Sequence, residues 1–273
     1  MRYLLACAAV MVVLAADQAK AQLEVFVEVC QKDGADAREV IHFCQRAVDT
    51  GQLPPQAEAQ VRSNMGTGYF EIGQYRSAIE QYSAAIEIDP TFRAAFFNRA
   101  RAYEKERRLT EAAADYQALL DLDPSDADAY IGRGAMLLSF GDPARAVRDL
   151  TTAIGLQPSW IAPLFNRGVA FLQLGDFPAA EQDFTNVISR NAQDSGAYLN
   201  RGRARAAMGG AGAAEDFDYA VEIDPEWAGA WFARGQFLDS LGDREAANSD
   251  FRRAWELGYS DPWLIERIRQ ISG

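Results

Sequence analysis

The sequence predicts an all-α chain, built as an array of helical hairpins set end to end. The stretch Gly66 to Pro90, GTGYFEIGQYRSAIEQYSAAIEIDP, places a small residue (Gly66), an aromatic (Tyr69), then Ala78, Tyr82, Ala85 and a closing Asp89-Pro90. Gly73 divides it into two amphipathic halves, which reads as helix, tight turn, helix. The pattern returns 34 residues on at Ala100, Tyr103, Ala112, Tyr116 and Pro124, and again at Gly134, Leu137, Ala146, Leu150, Ala153 and Pro158. Self-similarity at such a period is the mark of stacked supersecondary units, each of which buries its apolar face only against its neighbours.

The small-aromatic-Ala-aromatic-Ala-Pro spacing resembles the tetratricopeptide repeat. The resemblance implies a right-handed α-solenoid of about six hairpins, at about 59–92, 93–126, 127–160, 161–194, 195–227 and 228–261. Repeats four and six close without proline, at Asn191-Ala192 and Gly258-Tyr259. They keep Gly168, Phe171, Ala180 and Phe184 in one, and Gly235, Leu238, Ala247 and Phe251 in the other. Repeat five is one residue shorter and turns at Gly209-Gly210-Ala211-Gly212. A phosphate cradle needs a strand before such a loop and Lys-Ser/Thr after it. Neither is present, so the loop reads as a relaxed turn and a candidate flexible joint.

Ahead of the array, residues 1–21 have the form of an export signal. Arg2 is followed by an apolar run from Tyr3 to Ala16 and by Ala19-Lys20-Ala21 before Gln22. The run is shorter than the roughly 20 residues a membrane-spanning helix needs. Leu4-Leu5-Ala6-Cys7 resembles a lipid-attachment box, but two preceding residues leave no room for a hydrophobic region, which argues against lipidation. The expected location is therefore the periplasm or the exterior.

Loss of residues 1–21 removes Cys7 and leaves Cys30 and Cys44, an even pair that reads as a disulfide in an exported protein. The pair flanks the turn-like 32–36, so a bridge would staple a helical hairpin over 22–55 that caps the array. Gly51-Gln52-Leu53-Pro54-Pro55 is read as the linker into the array over 56–261. At the other end, Asp261-Pro262 starts a helix over 262–273 in which Trp263, Leu264, Ile268 and Ile271 form an apolar stripe. Solenoids need such end caps for solubility.

Formal net charge is −12, and one unit more negative once Arg2, Asp17 and Lys20 are removed with the leader. Such a surface repels phosphate backbones, and the single basic cluster, Lys105-Arg107-Arg108, is interrupted by Glu106 at a hairpin turn. No nucleic-acid role is expected.

The repeats also supply their own internal comparison. The seventh position of repeats two to six is arginine, at Arg99, Arg133, Arg167, Arg201 and Arg234. An aspartate follows on each second helix, at Asp115, Asp149, Asp183, Asp216 and Asp250. In repeat one both change together, to Met65 and Gln81. Joint presence and joint absence predict an Arg–Asp pair inside each hairpin, a directional contact that fixes how the two helices face each other.

Chemistry is sparse. The single histidine, His42, is two residues from Cys44, so on a helix the side chains diverge. No metal spacing and no convergent catalytic set is found, so neither a cofactor nor an enzyme is expected. The resemblance instead implies a groove lined by the second, fifth, ninth and twelfth positions of each first helix. The residues expected there are Phe97, Ile131, Phe165, Leu199 and Phe232 at the fifth position, with Arg101, Val169 and Arg203 at the ninth. That ladder suits an extended or helical peptide with apolar anchors and an acidic group near each arginine. Asn64, Asn98, Asn166 and Asn200 match the asparagine of a family carboxylate clamp, but Ala94, Asp128, Ile131 and Gly196 stand where its basic partners would. The expected function is a non-enzymatic adaptor of the bacterial cell envelope that docks a peptide segment of a protein partner. Self-association and a thiol-redox role of Cys30 and Cys44 are the alternatives.

Overall fold

A computed structural model describes residues 20–32 and 34–272, the side chain of residue 272 excepted. The leader expected over 1–21 lies outside them, save for its last two residues. Every regular element among the described residues is an α-helix, so the chain is all-α. Two compact units divide between Ala129 and Tyr130.

The first unit holds α1 (20–30), α2 (Ala37–Asp49), α3 (Pro55–Glu71), α4 (Tyr75–Ile88), α5 (Arg93–Lys105) and α6 (Leu109–Leu122). Helix α7 (Ala127–Ser139) opens there and continues into the second unit. That unit goes on with α8 (Pro143–Leu156), α9 (Ala162–Leu174), α10 (Phe177–Arg190), α11 (Ser195–Ala207), α12 (Ala213–Ile223), α13 (Ala228–Ser240), α14 (Arg244–Glu256) and α15 (Pro262–Ser272).

The hairpin α9–α10 shows why these residues fold this way. Gly175 ends α9 in the left-handed conformation (φ +77°), and Asp176 then caps α10 by accepting from the Ala179 amide. A Cβ at Gly168 would lie 2.8 Å from the Phe184 ring, so only glycine lets the two helices approach this closely. The Phe184 ring is fully buried as a result, worth about 1.5–3 kcal/mol of apolar burial. One hairpin breaks the turn rule. Arg107, between α5 and α6, takes φ +57° and is the only non-glycine residue among those described with positive φ.

At the N-terminal end, a disulfide joins Cys30 at the end of α1 to Cys44 in α2. Both sulfurs sit in an apolar core with Phe26, Ala47, Val61 and Met65. Helix α3 starts at Pro55, within the stretch expected to be linker, because proline is tolerated at the first helical position, where the missing N–H has no partner to lose. At the other end, the Asp261 side chain accepts from the Trp263 and Leu264 amides and starts α15. Leu264 is fully buried, and the Trp263 ring meets Phe232 and Phe251 edge-on.

The glycine-rich turn of repeat five differs from the relaxed joint expected. Arg205 latches it, donating from Nε to Glu181 (2.7 Å) and from Nη1 to Asp216 (2.9 Å) and the Gly212 carbonyl (3.5 Å). The Gly210 amide returns to the Arg205 carbonyl at 2.8 Å. The turn is thus held by the Arg205 side chain in addition to its left-handed glycines, Gly209 and Gly212.

Candidate functional site

Five guanidinium–carboxylate forks run through the hairpins. Arg99 donates Nε to Asp115 Oδ2 (2.9 Å) and Nη2 to Oδ1 (2.7 Å). The same two bonds are made by Arg133 to Asp149 (2.7 and 2.8 Å), Arg167 to Asp183 (2.8 Å each), Arg201 to Asp216 (3.0 and 2.6 Å) and Arg234 to Asp250 (2.7 and 2.8 Å). The bidentate geometry is what a planar guanidinium offers and an ammonium does not. Asp149, Asp250 and, with the largest effect of burial to overcome, Asp115 hold the pKa of their arginines above the ordinary value. Burial pushes the Asp115 carboxyl up, against the pull of Arg99. The ion pair is the state we adopt, since both fork bonds are made.

The forks of Arg99, Arg167, Arg201 and Arg234 also reach backward in the chain. Arg99 Nη1 donates to Ser83 (2.9 Å), Arg167 Nη1 to Thr151 (3.1 Å), Arg201 Nη1 to Thr185 (3.3 Å) and Arg234 Nη1 to Asp218 (2.8 Å). These acceptors lie on the second helix of the preceding hairpin. One arginine therefore ties three helices. Repeat one has no preceding hairpin of this kind; its seventh residue, Met65, instead enters the apolar core around the disulfide. A guanidinium there would lose its solvation without a partner, which explains the exchange.

In the first unit, the first-helix face is built by α3, α5 and the start of α7. A cavity of about 430 Å³ opens on it, lined by Arg93, Ala94, Phe97, Asn98, Leu119, Asp126 and Asp128. Phe97 is half-buried and packs edge-on to Tyr116 at 5.9 Å. One turn further along α5, the exposed Arg101 lies over the Phe70 ring, 5.2 Å from its centroid. Beyond it Tyr116 donates to Glu104 (2.7 Å), whose pKa is raised by burial and lowered in part by that bond and by Arg101. Asn64, by contrast, is engaged in the structure, donating to the Cys30 carbonyl at 3.2 Å.

In the second unit the fifth-position residues differ in access. Phe165 is half-buried against Phe184 at 5.6 Å, and Ile131 and Val169 are half-buried. Leu199 (2% exposed) and Phe232 (7% exposed) are core residues. Phe232 is covered by Tyr259, with ring centroids 4.6 Å apart, and by Trp263. Arg203 is exposed and donates to Asn200 (3.3 Å).

Matches to the tetratricopeptide repeat family cover residues 64–127, 99–160 and 165–226, and a further match to a tetratricopeptide repeat covers 228–257. Together they span well over half of the chain. The chain belongs to the tetratricopeptide repeat family. No curated relative matches it. Among solved structures, it is similar to a tetratricopeptide repeat protein from Parabacteroides merdae, with 20% identity over 93% of this chain and all of that one, at a TM-score of 0.74. PilW, described as a widely conserved type IV pilus biogenesis factor, aligns with 18% identity over 77% of this chain and 98% of its own (TM-score 0.69). YrrB, described as a tetratricopeptide repeat protein with an unusual peptide-binding site, aligns with 20% identity over 70% and 97% (TM-score 0.56). At these identities the likeness is one of fold.

The tetratricopeptide repeat fold makes the chain a scaffold for protein–protein interaction. Its first-helix face gathers Phe97 and Asn98 with Asp128, a grouping that sequence reasoning passed over because Asp128 was read as a missing basic residue. The inter-hairpin acceptors Ser83, Thr151, Thr185 and Asp218 were passed over too. Their signal is a polar residue two places after each second-helix Asp, or after Gln81 in repeat one.

Proposed function

We propose that the chain is an exported, non-enzymatic adaptor of the bacterial cell envelope, docking a peptide segment of a protein partner on its first-helix face. The observation that carries the reading is the cavity beside Phe97, whose volume and mixture of apolar wall and a few polar groups are those of a ligand site. The five buried aspartates of the hairpins are already paired with arginines, so the forks offer no free charge to a ligand. The Arg2 start, apolar run and Ala19-Lys20-Ala21 site support export. The relatives described as a pilus biogenesis factor and as having a peptide-binding site support the envelope and peptide parts of the reading. Cys30 and Cys44 are buried, which counts against thiol exchange.

Crosslinked pull-down from envelope extract tests this, comparing the natural chain with a Phe97→Ala, Phe165→Ala variant of unchanged helicity. Loss of a captured partner in the variant supports the reading; identical capture by both overturns it. N-terminal sequencing of the protein from the periplasmic fraction should begin at Gln22.

The second reading, self-association, is favoured by an exposed apolar row at the hairpin turns of the second unit, where Leu174 and Met208 are joined by Leu241 at 66% exposure. Light scattering over a hundredfold range of concentration decides it by whether the mass rises.

A further inference from the structure

The cavity beside Phe97 is electronegative, although the family resemblance alone led to an acidic ligand. Arg93 stands at its edge against three aspartates. It pairs with Asp126 and lies 3.9 Å from Asp123, so its charge is already matched. Asp126 is buried and doubly used, pairing with Arg93 and accepting from the Ala129 amide at 3.1 Å to cap α7. Asp128 is different. It is exposed, lines the cavity, and makes no ion pair within 4 Å among the described residues. The Asn98 amide is likewise without a side-chain partner among the described residues.

Apolar surface from Phe97, Ala94 and Leu119 forms the rest of the wall. The aromatic face attracts a cation, the aliphatic wall accepts the methylene stem of a long side chain, and Asp128 supplies the counter-charge. Arg101, one turn beyond Phe97 on α5, does not line the cavity and lies over the Phe70 ring. The whole chain's charge of −12 adds attraction at longer range.

We infer that this cavity recognises an arginine or lysine side chain of the docked peptide, so that the partner segment is basic with apolar residues beside the cation. The inference rests on the peptide-docking reading above and names the chemistry of its partner. A first-turn aspartate also favours the helix dipole, so stability must be read separately from binding.

The test is selection of random dodecapeptides displayed on phage against the full natural chain. Enriched sequences are then synthesised and titrated by calorimetry against the natural chain and the Asp128→Asn and Phe97→Ala variants, each first checked for its melting temperature. The expected result is enrichment of Arg or Lys. Affinity should fall on the order of tenfold in Asp128→Asn, fall again with added salt, and be abolished when the peptide cation is replaced by Glu. An Asp128→Lys variant should exchange the preference for Glu-containing peptides. Enriched peptides that are acidic or neutral, yet depend on Phe97, would overturn this inference and leave peptide docking standing. Peptides indifferent to both Phe97 and Asp128, or no enrichment at all, would overturn both.

Discussion

Arg167 holds Asp183 through two parallel hydrogen bonds of 2.8 Å and gives its remaining Nη1 donor to Thr151 on the hairpin before. The carboxylate is almost wholly buried, at 3% side-chain exposure. The pair therefore fixes orientation within one hairpin and between two. Its net contribution to stability is modest, because desolvation offsets the attraction, whereas its half-removal is not.

Arg167→Ala should accordingly cost about 3–5 kcal/mol, since it strands the Asp183 charge in the core. Arg167→Lys should recover only part of this, because an ammonium cannot make the fork. Urea unfolding of the three proteins checks the order, and binding at the Phe97 face should follow folding rather than fall independently. Loss of binding at an unchanged unfolding midpoint would contradict the structural role.

Met65→Arg together with Gln81→Asp writes into repeat one the pair found in the other five. The double variant should nevertheless be destabilised, by more than about 2 kcal/mol, because position 65 faces the Phe26, Cys30 and Cys44 core and has no hydroxyl behind it. Thermal melting gives the answer; a variant as stable as the natural chain would show that the fork needs nothing outside its own hairpin.

Arg107 holds a left-handed conformation that the other hairpins give to glycine at the same place, at Gly73, Gly141, Gly175, Gly209 and Gly242. A side chain there costs about 1–2 kcal/mol. Arg107→Gly removes this strain and should raise stability by less than about 1 kcal/mol, because the side chain's own contacts are lost and the unfolded glycine is more flexible. Denaturant midpoints of the natural chain and variant measure it.

Burial raises the Glu104 pKa, so the folded protein binds this proton more tightly than the unfolded chain does. The protonated form is favoured by folding, and that benefit is present below the ordinary glutamate pKa of about 4.3 and lost as pH rises through the folded value. Glu104→Gln keeps an acceptor for Tyr116 and mimics the protonated state. It should melt higher than the natural chain at pH 7, with the gap closing towards pH 4. A gap that stays constant with pH would mean that the carboxyl charge is not the cause.

The hairpins were legible in the sequence because each depends on local spacing. Gly168 beneath Phe184, the Gly175 turn and the Asp176 cap all lie within one repeat, and the turn glycine recurs in every other repeat but the second, where Arg107 stands in its place. The Arg167–Asp183 spacing was readable for that reason, as a correlation repeated down the chain. The latch at Arg205 was not readable, because it draws on Glu181 from the preceding hairpin.

The sequence by itself determined the all-α class, the repeat length and the family, since these follow from periodicity and turn residues that act over a few positions. Tertiary structure decided which of the fifth-position side chains remain accessible. Leu199 and Phe232 carry the same apolar character as Phe97 and Phe165, yet packing of neighbouring helices, and of Tyr259 and Trp263 over Phe232, removes them from the surface. It also decided the sign of the cavity beside Phe97. That sign depends on which charges are already paired across helices: Asp126 is taken by Arg93, and Asp128 is left facing the opening.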